Sequence, residues 1–218
     1  FFNWNGINEM QFIGLDNFRK LLFEPRMSGI FYNALENNFV YMLCVLFIIT
    51  PLQIFFAYVL NIQIRFYKYI QLMLFLPYVI STSIVGFFAI LVFDPNMGIL
   101  NTILEALGLA KSAWLGNPDL TFRIFVMVVI WQCIGAGMMI FYANMKEIPE
   151  SLIEASVIDG AGELRKFFSI VLPQLTSSLS TNITLSVIFA LTMFDIPFML
   201  GGPQGGVNNT IDFVNMVF

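Results

Sequence analysis

Four long apolar stretches, at about 39–60, 69–93, 122–145 and 176–200, are separated by polar segments at 61–68, 94–120 and 146–173. The first stretch holds roughly 22 residues, ~33 Å at 1.5 Å per residue, which matches a ~30 Å hydrocarbon core. A chain in hydrocarbon has to pair its own backbone groups, so each stretch predicts a membrane-spanning helix. Pro51, beside Thr50 and Gln53, predicts a kink in the first span, and Pro77 with Ser81, Thr82 and Ser83 predicts a bent, hydroxyl-lined second span. Those hydroxyls serve either as packing contacts between helices or as contacts to a solute. Gly135 and Gly137 in the third span predict a close helix approach near Gln132. In the fourth, Thr181, Thr184, Thr192 and Asp195 share one stripe with Ile188, a stripe expected to face protein or water. Asp195 is either a functional polar group inside the membrane or a carboxylate that caps or pairs at the external interface. A fifth span starts at Ile211 and is cut at Phe218. Residues 1–38 predict no span, only a short amphipathic surface helix near Asn17 to Phe23 with interfacial aromatics. The 94–120 loop predicts a short helix from Asn101 to Leu107, stopped by Gly108.

Composition narrows this to a polytopic membrane protein. Of 218 residues, 58% are hydrophobic and 11% charged, with 25 phenylalanines. The net charge of −4 comes from 10 basic and 14 acidic residues, and no basic patch argues for nucleic acid. With no histidine, imidazole metal sites and Ser-His-Asp catalysis are excluded. Cys44 and Cys133 both fall inside apolar stretches and read as small buried hydrophobes rather than a disulfide or metal pair. Neither a metal site nor a catalytic group emerges. Lys111-Ser112 lacks the glycines of a phosphate-cradling loop.

The most polar island between spans, IPESLIEASVIDGAGELRKFFSIVLP at 148–173, reads as a knuckle. Pro149 suits the start of a helix, and Glu150 and Glu154 favour its positive end. Ile148, Leu152, Ala155 and Ile158 form an apolar face, with Glu147, Glu150 and Glu154 on another. Asp159-Gly160 predicts a helix stop, a second short helix follows from Glu163 to Ser169, and Pro173 closes the unit.

Glu154-Ala155-Ser156, Asp159-Gly160-Ala161, Phe167, Ile170 and Leu172-Pro173 resemble, in type and spacing, the EAA loop of ABC-importer permeases. Ser156 replaces the usual second alanine, and a proline often found beyond Leu172-Pro173 is missing. The run Phe12-Ile13-Gly14-Leu15-Asp16-Asn17-Phe18, the segment Asn33-Ala34-Leu35-Glu36-Asn37-Asn38, Gly98 to Asn101, Trp114-Leu115 and Gly201-Gly202-Pro203 continue the likeness to sugar-type permeases.

The resemblance implies an all-α polytopic fold of the type I importer class. About five membrane helices would fall in this chain, with another helix before Phe1. It places residues 1–38 outside the membrane as a segment after that helix, and 39–218 in the permease domain with a cytoplasmic coupling loop at 146–173. It also implies a multi-pass protein of the cell (inner) membrane and a second, related permease chain. Two nucleotide-binding ATPase subunits would use ATP and Mg, and an extracellular or periplasmic binding protein would deliver the solute. No cofactor is implied in this chain, which is not expected to be an enzyme. Coupling to the ATPase is expected at Glu150, Glu154, Ala155, Asp159, Gly160, Ala161 and Phe167. A weaker expectation puts Ser81, Ser83, Gln132, Thr184, Thr192 and Asp195 along a path for a sugar or related solute. Basic residues divide evenly between the two sides, so the resemblance, not charge, orients the chain. An ion-coupled secondary transporter is the alternative, which would call for internal repeats and more intramembrane charges.

Overall fold

A computed structural model describes residues 1–7 and 9–217. A two-residue hairpin of β1 (Phe2–Asn3) and β2 (Gln11–Phe12) precedes α1 (Asp16–Phe23), the expected surface helix. The first span then departs from the hydropathy boundary. Helix α2 (Pro25–Cys44) starts 14 residues before Phe39, passes through a π-helical turn at Val45–Ile49, and continues as α3 (Thr50–Asn61). The boundary expected at residue 38 therefore falls inside a helix. Pro25 starts α2 because a first-turn residue needs no N–H partner. The polar residues that masked its extension are held by partners distant in sequence: Asn33 and Asn37 both donate to Asp212 Oδ1, at 2.6 and 2.8 Å, and Asn38 Nδ2 donates to Ala190 O at 2.7 Å.

The second span is not one bent helix. Helices α4 (Tyr67–Val79) and α5 (Thr82–Phe93) meet at 99° across Ile80-Ser81, both of which have extended backbone. Their 13 and 12 residues reach only ~20 and ~18 Å at 1.5 Å per residue, so neither is long enough to cross alone. The break falls after Pro77 rather than at it, and Pro77 itself is buried within α4.

The loop helix α6 (Ile99–Ala106) ends at Gly108, whose φ of 74° suits glycine. Asn101 is fully buried and accepts from Ser112 N and Trp114 Nε1, both at 3.0 Å, which folds the loop back on itself. The third span is α7 (Pro118–Lys146), and its two glycines do receive neighbours: Gly135 lies against the Leu74-Phe75 backbone of α4, and Gly137 against the Gln53 amide of α3.

The knuckle folds as α8 (Glu150–Ile158), a left-handed Gly160 (φ 74°) and α9 (Glu163–Lys166). It does not close at Pro173. A π-helical turn at Phe167–Val171 and α10 (Leu172–Gln174) carry the chain almost without interruption into α11 (Thr176–Leu191). After a break at Thr192 to Phe194 come α12 (Asp195–Gly201), two 3₁₀ turns (Gly202–Gln204 and Val207–Asn209) and α13 (Val214–Val217). Phe218, where the expected fifth span is cut, lies outside the described residues.

Among the described residues, three helices are long and apolar enough to cross a membrane: Pro25–Asn61, Pro118–Lys146 and Thr176–Gln204; the bent α4 and α5 pair makes a fourth if counted as one span. Two apolar clusters hold them. One gathers Tyr41, Phe125 and Phe213, with ring centroids 5.0 to 5.9 Å apart, at the end that carries the 94–120 loop. The other gathers Leu60, Met138, Phe141 and Leu175 at the knuckle end.

Candidate functional site

Between the two clusters lies a cavity of about 400 Å³, walled by α2 and its π turn, α3, α4, α5, α7 and α11. Its polar lining comes from Tyr41, Gln53, Tyr78, Thr82, Gln132, Asn182, Ser186 and Thr192. Gln53 and Gln132 are both 4% exposed. Gln53 Nε2 donates to Cys133 O at 2.9 Å, and Gln132 Nε2 to Ile80 O at 3.3 Å. The Ile80 carbonyl is free because the α4–α5 break removes it from a helix ladder, so the break and the glutamine belong to one arrangement. Each faces a carbonyl, which only accepts, so the amide nitrogens point that way, and Gln132 Nε2 also donates to Thr82 Oγ1 at 3.5 Å. The two Oε1 atoms are left without a partner. Cys133 also lines the cavity, and Cys44 and Cys133 are unpaired thiols.

The expected path residues separate on this geometry. Gln132 and Thr192 line the cavity; Ser81, Ser83, Thr184 and Asp195 do not. Thr181 and Thr184 are exposed, and their hydroxyls donate to Ser177 O and Ser180 O in their own helix. Asp195 is exposed in the first turn of α12, where the positive end of the helix favours a carboxylate. Gln53, Asn182 and Ser186 are cavity residues that the sequence reading passed over. Only the helical spacing of Asn182 and Ser186, four residues apart in an apolar run, pointed to them.

The knuckle is the second candidate surface. Glu150, Glu154, Ala155, Asp159 and Gly160 are exposed, while Ala161 and Phe167 are half-buried. Beside the acidic residues, Val157, Ile158 and Leu164 are exposed by 56, 86 and 77%, so an acidic and apolar face stands free. Ser156 is buried and donates to Ile153 O at 2.6 Å, which explains why a small polar residue fits the usual alanine position. The knuckle packs Ile148, Ile153 and Phe167 on the cluster that includes Ile54, Ala57 and Leu60 of α3, and polar contacts add to this. The Phe167 ring stands edge-on to Tyr58 at 4.9 Å, and Tyr58 OH donates to Glu163 Oε2 at 2.8 Å. Lys166 pairs with the same carboxylate. Its Nζ, and then the Tyr58 hydroxyl, hold the Glu163 carboxyl below its ordinary range. Among the described residues, no cluster of three or more Cys, Asp or Glu is arranged to hold a metal.

Residues 49–214 match the family model described as "Binding-protein-dependent transport system inner membrane component". The chain is 32% identical to a probable ABC transporter permease protein, YurN, of Bacillus subtilis, over 93% of this chain and 70% of that protein. It is 31% identical to the diacetylchitobiose uptake system permease protein NgcF of Streptomyces coelicolor, over 95% of this chain and 61% of that one. Among solved structures, a chain of a bacterial ABC transporter involved in import of the acidic polysaccharide alginate superposes with a TM-score of 0.83, covering 94% of this chain and 71% of that one at 23% identity.

Proposed function

The chain belongs to the family of binding-protein-dependent transport system inner membrane components, the ABC-transporter permeases, and on that premise we propose that it forms half of a sugar translocation path driven through its 146–173 loop. It is a multi-pass membrane transport subunit, not an enzyme. In the proposed assembly, a second, related permease supplies the other half of the path in the cell (inner) membrane. Two ATPase subunits bind ATP and Mg, and an external binding protein delivers the solute. Residues 39–218 act as the permease domain. Relatives named for diacetylchitobiose and alginate support a saccharide as solute.

The observation that carries the coupling role is the knuckle's form. It presents Glu150, Glu154, Ala155 and Asp159 outward and bends once, at a glycine with φ 74°. A stiff element with one exposed face can transmit a push only if a partner docks there, because a ligand shifts an equilibrium only by its differential affinity for the two states. Glu154→Lys reverses the charge on that face, and Gly160→Pro forbids its positive φ. Both substitutions are expected to abolish ATP-dependent uptake in proteoliposomes holding the complete complex, with membrane insertion unchanged. Unchanged uptake in both would refute the coupling role.

A further inference from the structure

Away from the central cavity, α4 and α7 lie antiparallel, and their closest approach is at Gly135, where a Cβ would lie 2.7 Å from Phe75 Cα. From there to the start of α4 and the end of α7, at the knuckle end, runs a groove of about 480 Å³. Its lining changes character in sequence order along both helices. Phe75, Leu72 and Met139 make the inner part apolar. Gln71 comes next, its Nε2 donating to Met139 Sδ at 3.3 Å. The phenols of Tyr67 and Tyr142 follow, and Lys68 stands at the mouth. Lys146, one turn beyond Tyr142, sets its Nζ 5.4 Å from the centroid of that ring, so a second cation reaches the same end. No Asp or Glu lines the groove, and among the described residues neither lysine belongs to an ion pair.

We infer that this groove holds an anionic glycerophospholipid from the membrane face on the knuckle side, its phosphate beside Lys68 and Lys146 and its acyl chain along Leu72, Phe75 and Met139. The lining follows the order of such a lipid: charge, then ester oxygens, then hydrocarbon. Tyrosine, with an apolar body and a polar tip, suits the headgroup level between the first two. The positive end of α4, at Tyr67, adds to the attraction for a phosphate. A free phosphate would leave the apolar half of the groove uncovered. A zwitterionic headgroup carries its own cation and gains less from two unpaired lysines. Beyond the groove, Tyr69, Met73 and Leu76 on α4 are exposed by 65, 73 and 57%, an apolar surface that continues into the bilayer. The inference needs only the membrane spans, not the solute or the coupling role of the knuckle.

The test uses the complete complex with the photocrosslinker benzoyl-phenylalanine in place of Leu72, which is 61% exposed at the edge of the groove. The complex is reconstituted in nanodiscs of phosphatidylcholine and phosphatidylglycerol in equal parts and irradiated, and adducts on the peptide containing position 72 are identified by mass spectrometry. Phosphatidylglycerol adducts are expected to outnumber phosphatidylcholine adducts by about fivefold or more, the attraction that one juxtamembrane cation supplies. Lys68→Gln and Lys146→Gln are each expected to lower that ratio, and together to bring it close to one. Co-purification of the subunits checks assembly, and the single variants decide if the double variant does not assemble. An excess of sn-glycerol 3-phosphate, which lacks acyl chains, is expected to leave the adducts unchanged. The inference is overturned by adducts in the mixing ratio, by a preference that survives the lysine substitutions, or by one that falls equally with Arg123→Gln near the far end of α7. Displacement by sn-glycerol 3-phosphate would overturn it in favour of a phosphate site, and crosslinking to a peptide instead of a lipid would show that protein covers the groove.

Discussion

Two glycines two residues apart on α7 illustrate how single positions set this structure. A Cβ at Gly135 would meet Leu74 O and lie 2.7 Å from Phe75 Cα, both backbone atoms of α4 that can yield only if the helix moves. At Gly137 the obstacle is the end of a side chain, the Gln53 amide, which can swing away only by giving up its hydrogen bond to Cys133 O. The first change is overpacking against a rigid neighbour, costing about 1–3 kcal/mol or more. The second strands a buried amide, costing about 1–3 kcal/mol, but leaves the helices where they are. Gly135→Ala is therefore expected to lower the thermal midpoint of the detergent-solubilised complex more than Gly137→Ala. Gly137→Ala, by displacing Gln53 from the cavity wall, is expected to impair uptake more than its stability loss explains. Equal midpoints for the two variants would show that α4 accommodates a methyl group and that the close approach is not tight.

Prolines set the larger pattern of the helices. Pro51 and Pro173 each follow a five-residue π-helical turn, Val45–Ile49 and Phe167–Val171, that ends two residues before the proline. A proline lacks the N–H for its helix bond, and its ring crowds the carbonyl four residues back, Phe47 or Ser169; the wider turn relieves both problems without breaking the helix. A kink at Pro51 was legible in sequence; that Pro173 would be absorbed rather than end the knuckle was not, because a proline after a charged loop reads as a stop. The Glu150–Ile158 helix, the Gly160 and Gly108 stops and the 118–146 span were legible because each depends on residues a few positions apart. The start of the first span was not. Residues 33–38 look like a connector by hydropathy, and what pairs them lies 152 to 179 positions away. Asn38 shows the scale of this: its amide donates to Ala190 O and its carbonyl accepts from Val214 N at 2.9 Å, so one buried side chain clamps α11 and α13 to α2. Asn38→Ala leaves a buried carbonyl and a buried N–H bare, about 1–3 kcal/mol for each. Limited proteolysis of the complex is expected to cut faster between Gly201 and Val214 in that variant, while the cleavage rate in the 94–120 loop stays the same.

At the scale of the whole molecule, the cavity and the knuckle are linked by one helix. α3 presents Gln53 to the cavity and, five residues later, Tyr58 to the knuckle, while α7 packs along it through Gly137. A displacement of the knuckle therefore reaches the cavity wall by moving α3, with no relay of loops between them. The sequence offered no sign of this link, since Tyr58 lies in an apolar run and Glu163 in a loop 105 positions later. The fastening is electrostatic as well as apolar. Glu163 must be ionised to accept from both Tyr58 and Lys166, and its carboxyl is held below its ordinary range by Lys166 first and Tyr58 second. A carboxyl whose pKa is lowered by folding contributes stability that is present above its unfolded pKa and lost as pH falls through the lowered one. Tyr58→Phe keeps the ring against Phe167 and removes only the hydroxyl, which lets the Glu163 pKa rise. The partners are exposed, so the hydrogen bond is worth little in isolation, and the expected loosening of the knuckle is roughly two- to fivefold. Amide exchange in the 163–171 segment is expected to quicken by that factor at neutral pH and to sharpen on acidification at a higher pH in the variant than in the unmodified protein. Solute moved per ATP hydrolysed should fall in step, with the binding-protein-stimulated ATPase rate retained, because the docking face proposed on α8 is untouched. A variant whose exchange quickens while its transport ratio holds would mean that the push reaches the cavity by a route other than α3.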